Sequence, residues 1–175
     1  VAVAAVAVAV EEVVEEVAVG DLLPLGTGES SLPAIIREWI ASAAAPRDDL
    51  DGAALCPPLA RLLQSNAIYY GSIEAGYLSY DGDGAVREMS LLLQSAIDFG
   101  RDKIDSCGSE ESAVIWMVDG VPDHAMRSVL DRSFLKVRPE TVALGIMIGL
   151  FHPYRHRTSR RLPEELTMRS PQPLV

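Results

Sequence analysis

The residues best equipped for chemistry stand together at His152-Pro153-Tyr154-Arg155-His156-Arg157 and on to Arg160-Arg161, directly after the apolar run Gly145-Ile146-Met147-Ile148-Gly149-Leu150-Phe151. An imidazole at the end of a buried strand can ligate iron or act as a base near neutral pH. Pro153 removes a backbone donor and fixes the path out of that strand. Arg155, Arg157, Arg160 and Arg161 place four guanidiniums within seven residues. Their planar forks suit carboxylates and phosphates, so the sharp reading is an anion site for haem propionates or an acidic small molecule. The plain reading is a histidine satisfied by a carbonyl and an exposed turn that balances an acidic body. His156 and His124 read as ordinary polar residues.

Cys56, ahead of Pro57-Pro58, is the third candidate as a thiolate ligand or nucleophile. No base stands beside it in sequence, and a lone buried cysteine is usually inert packing. Gly145 and Gly149 lie four apart in the same apolar run, which as a strand puts both on one face. The expectation is a packed helix at Gly145 and a flat ligand at Gly149, three residues from His152. There is no C-x-x-C, H-E-x-x-H, G-x-S-x-G or phosphate-cradling G-x-x-x-x-G-K-[ST], which disfavours zinc-hydrolase, α/β-hydrolase and P-loop chemistry.

The chain has 175 residues and a formal charge of −10, unevenly spread. Residues 1–120 carry 20 acidic and 6 basic side chains, whereas residues 121–175 carry 5 and 9. An acidic whole repels polyanions, so nucleic acid and anionic membrane are not expected partners. A small acidic ligand on the basic C-terminal third is, and a homodimer is compatible with the size. Two cysteines, Cys56 and Cys107, are too few for a disulfide scaffold and point to reduced thiols in the cytoplasm. The opening Val-Ala run is apolar for ten residues before Glu11-Glu12, too short for a span and without a basic flank.

The elements that must hold these residues follow from periodicity. Residues 1–30 read as a low-complexity extension and linker, separable from a single domain over 31–175. Ser31-Leu32-Pro33 starts a helix to about Ala44 with Ile35, Ile36, Trp39 and Ile40 on one face. A short helical piece spans Leu59 to Gln64, strand structure falls within Tyr69–Tyr80, and a long helix runs from Ala85 to about Cys107. Ala113–Val118 is a buried strand, Asp123 opens a helix to about Lys136, and Thr141–Phe151 is a second buried strand. Ser170–Val175 reads as a strand just beginning, so the C-terminus is expected to be truncated. The fold class is α+β: a single-layer mixed sheet with helices packed on one face.

Trp39, Leu55-Cys56-Pro57, Met117-Val118-Asp119, Lys136-Val137-Arg138-Pro139, Leu144 through His152 and Arg169 through Leu174 together resemble an uncharacterised bacterial domain family of natural-product gene neighbourhoods. That family shares Cys-Pro-Phe, Gly-x-Met-x-Gly-x-Phe-His and Arg-Ser-Pro-x-Pro elements; Pro58 stands here in place of the phenylalanine. His152-Pro153 and Ser159-Arg160-Arg161 are more distantly similar to the YqcI/YcgG family, which includes a haem-dependent N-oxygenase. The resemblance implies a haem-dependent oxygenase-type enzyme of secondary metabolism, with His152 as the metal ligand and the arginines on propionates or substrate. The reading from the residues alone keeps a second class open, a non-catalytic small-anion-binding or accessory protein using Arg155–Arg161.

Overall fold

The computed structural model describes residues 22–25, 33–54, 56–107, 111–154 and 174–175, with only the backbone of Asp49 and Cys107. Local chemistry sets each element. Helix α1 (Ala34–Ala44) starts on Pro33, whose carbonyl accepts the N–H groups of Ile36 and Arg37, and it buries Ile36, Ile40 and Ala43 at helical spacing. It stops before Pro46, which disfavours helical backbone at Ala45. Helix α2 (Pro57–Gln64) opens on two prolines whose missing N–H groups need no partner in a first turn. Its end is closed by Asn66 at φ 54°, with Asn66 N–H bonded to Leu63 O and Ala67 N–H to Leu62 O, a Schellman cap.

Strand β2 (Ile68–Glu74) then runs parallel to β3 (Ala113–Asp119), in register from Ile68↔Ala113 to Glu74↔Asp119. A parallel pair needs a long crossover, supplied by α3 (Gly82–Cys107). Its Val86, Met89, Leu92, Leu93, Ala96 and Ile97 are buried at the expected period. The two-residue strand β1 (Leu23–Pro24) pairs antiparallel with Tyr70 and Tyr69, making the sheet mixed in the order β1-β2-β3. Leu22 belongs to the main core. Residues 22–25 are therefore part of the domain and not linker; the rest of the expected 1–30 extension lies outside the described residues.

Two departures concern the region around His152. The helix after Asp123 does not stop at Lys136: a turn at Asp123–Ala125 passes through a π segment, Met126–Leu130, into α4 (Asp131–Ala143). Pro139 removes one ladder donor, yet Val137 and Thr141 are buried on either side of it, and that packing carries the helix through. The expected strand from Thr141 is thus a helix end. Gly145 has φ 76° and donates to Val142 O while Ile146 donates to Thr141 O, a second Schellman cap. A Cβ on Gly145 would meet nothing within 4 Å, so none of the described helices packs there.

Only the end of that run behaves as a strand. Phe151 exchanges both backbone bonds with Leu174, at 2.9 and 2.8 Å, and Val175 does the same with Trp116, at 2.9 and 2.8 Å. Leu174-Val175 therefore sits between β3 and Phe151, antiparallel to both. Alternation across this sheet divides the core. Ile73, Trp116, Val118 and Leu150 face α3 and α4, while Tyr70, Met117, Phe151 and Leu174 share the other face with Ile36 and Ile40 of α1. The class is α+β with helices packed against a small open mixed sheet; α3 and α4 cover one face and α1 the other. Among the described residues no helix is long and apolar enough to cross a membrane.

Candidate functional site

His152 follows Phe151, and strand alternation turns the two side chains apart. Phe151 faces α1 and meets Trp39 edge-on, with ring centroids 5.1 Å apart. The His152 ring turns to α4 and is 0% exposed. Its Nδ1 accepts the N–H of Tyr154 at 3.2 Å. An accepting Nδ1 carries no proton, so the proton is on Nε2, which lies 3.3 Å from Asp131 Oδ1 and donates to it. Asp131 is the first residue of α4, directly after the π segment. Two residues on, the Tyr154 hydroxyl donates to Asp123 Oδ2 at 2.6 Å. That hydrogen bond, with burial and the Asp123 charge behind it, raises the Tyr154 phenol above its ordinary value. Two carboxylates on one helical run thus tie down the segment from Phe151 to Tyr154.

This arrangement bears directly on a haem. An axial ligand must offer a ring-nitrogen lone pair to open space. In His152 the one lone pair is taken by a backbone N–H, the other nitrogen's proton points at a carboxylate, and the side chain has no exposed surface. The described residues around His152 do not fit an axial ligand in this arrangement. Nor do they form a group of three or more His, Cys, Asp or Glu side chains that could hold a metal ion.

The other expected site residues are scattered. Gly149 shares a face with Phe151, whose Cε2 would lie 3.0 Å from a Cβ placed there. Phe151 and not a flat ligand occupies the space beside it. An odd spacing of three puts His152 on the opposite side of the sheet. Cys56 is half-buried and free, at the junction of α1 and α2, where its N–H donates to Ala43 O and its carbonyl accepts the Ala60 N–H. It belongs to the α1 layer, and the sheet separates it from the His152 ring. Arg155, Arg157, Arg160 and Arg161 lie outside the described residues. No family model, no curated protein and no solved structure matches this chain.

Asp131, Asp123 and Tyr154 escaped the sequence reading, because carboxylates 21 and 31 residues away carry no local signal of their partners. A second ionisable pair escaped it too. Glu74 and Asp119 are register partners at the carboxyl ends of β2 and β3, where open α/β sheets tend to present polar groups. Burial first, and the Glu74 charge second, raise Asp119 above the usual carboxylate range. Beyond them Gly120, at φ 78°, touches the Gly76 backbone, and a Cβ there would lie 2.5 Å from Gly76 Cα. The Tyr80 hydroxyl donates to Ala75 O at 2.7 Å. Its phenol is pushed up to about 12, by burial and then by the Tyr77 charge. The signal available was the pair of apolar runs each closing on an acid, Ile73-Glu74 and Val118-Asp119.

Proposed function

We propose that this chain is a non-catalytic binding or accessory domain that takes a small acidic molecule on the basic segment Arg155–Arg161. One observation carries the reading. His152, the residue best suited to iron or to proton transfer, is wholly buried with both ring nitrogens in hydrogen bonds. It acts as an anchor, and with Tyr154 it fixes the chain immediately before Arg155. The four guanidiniums that follow are the largest concentration of positive charge in an acidic sequence. Guanidinium forks bind carboxylate or phosphate oxygens without any help from a catalytic group.

The haem-dependent oxygenase that the resemblance implies is the second reading, favoured by the His152-Pro153 and Ser159-Arg160-Arg161 elements. It requires His152 to leave either Asp131 or the Tyr154 N–H. Calorimetric titration with inorganic pyrophosphate and with succinate tests the first reading. Binding is expected to weaken as salt rises, and to fall at least tenfold in the Arg160→Gln, Arg161→Gln double variant, the scale of losing about 1.4 kcal/mol of charge-assisted contact. Binding of neither anion, or binding indifferent to both arginines, would overturn it.

A further inference from the structure

We infer that the π segment Met126–Leu130 is a register device: it absorbs one residue in excess of the α-helical count, and so keeps Asp123 and Asp131 on one flank of the helical run, aimed at the strand end. The spacing of the buried residues creates the excess. Ala125, Val129, Ser133, Val137 and Thr141 are buried, and so are Met126, Leu130 and Phe134. Each series steps by four. A regular α-helix turns about 100° per residue, so a step of four overshoots a full turn by about 40°. The steps from Ala125 to Thr141 would then sweep roughly 160°, nearly half-way round the helix. One residue taken up in a wide turn cancels about 100° of that drift and leaves roughly 60°, within the width of one buried face.

The hydrogen bonds place the wide turn directly before Asp131. The Asp131 N–H itself donates to Met126 O, five residues back. The Ser128 hydroxyl donates to His124 O at 2.9 Å, giving a carbonyl of the preceding turn a side-chain partner. Just past the wide turn, the Ser133 hydroxyl lies 3.0 Å from Val86 O of α3 and 2.9 Å from Val129 O, which pins the start of α4 against α3. Asp123 and Asp131 obey the same count as the core residues. Eight residues would leave them about 80° apart on a regular helix, whereas with one residue absorbed they are about 20° apart. One flank can therefore present Asp131 to His152 Nε2 at 3.3 Å and Asp123 to the Tyr154 hydroxyl at 2.6 Å. This register is independent of what the segment beyond Tyr154 binds.

Single-residue deletions in the full chain test this. Removing Arg127 or Ser128, both exposed in the wide turn, should let the run close as a regular helix with its buried residues still in line. The melting temperature should stay within about 5 °C of the parent. Removing Lys136, also exposed but in the regular part of α4, should instead turn Val137 and Thr141 about 100° away from the core and lower it by about 10 °C or more. A crystal structure of the Arg127 deletion should show i→i+4 bonds through the former wide turn, with the Tyr154 hydroxyl still on Asp123. Deletions in the wide turn as damaging as that of Lys136, all three deletions equally tolerated, or a folded Arg127 deletion in which Asp123 has left Tyr154 would each overturn the proposal.

Discussion

The Nε2 of His152 and the Oδ1 of Asp131 lie 3.3 Å apart across 21 residues of sequence, joining the outermost strand position to the start of α4. Asp131 retains 28% of its side-chain exposure, while the ring has none. The imidazole is therefore the member that suffers when the contact is lost.

Asp131→Ala should destabilise the protein by about 1–3 kcal/mol, because it removes the carboxylate that accepts from a fully buried imidazole. Asp131→Asn, which keeps a carbonyl oxygen in reach, should lose less. Urea unfolding of both variants checks the order; equal stability of Asp131→Ala and the parent would show that the contact contributes nothing.

A second expectation concerns alkaline pH. The Tyr80 phenol is raised from 10.0 to about 12 in the folded chain. Between those values the folded state holds a proton that the unfolded state has released, so the associated stability is complete below about pH 10 and is lost as pH rises toward about 12. Thermal melts across that range should show the loss. In Tyr80→Phe the decline should be shallower, although the protein starts less stable without the bond to Ala75 O.

Glycine substitutions separate two demands that the sequence merges. A Cβ at Gly71 would overlap the Trp116 ring, and one at Gly120 would strike Gly76 in addition to its left-handed φ. Gly71→Ala and Gly120→Ala should each destabilise by about 1–3 kcal/mol or more. Gly145→Ala meets open space and carries only the conformational term, about 1 kcal/mol. Gly149→Val should displace the Phe151 ring whatever ligand is present. Chemical denaturation of the four variants measures the ranking.

The same glycines explain what was legible. Helix α3 was readable because six apolar positions from Val86 to Ile97 keep one period and bury one face. Gly145 was misread because a glycine inside an apolar run looks the same as a strand glycine and as a helix cap; the choice was made by Thr141, buried at 0%, which continues the helix inward. Leu22 was assigned to a linker because a two-residue strand has no periodicity of its own. The His152 anchor needed Asp131 and Asp123, and only the folded chain puts them beside it.

The most direct measurement is a haemin titration of the full chain followed in the Soret region, alongside His152→Ala checked for retained helicity. With His152 as an anchor, the spectrum should show no stoichiometric band that depends on His152, and the variant should differ mainly by a lower melting temperature. A one-to-one Soret band in the parent that disappears in a folded His152→Ala protein would contradict the account and restore His152 as an iron ligand.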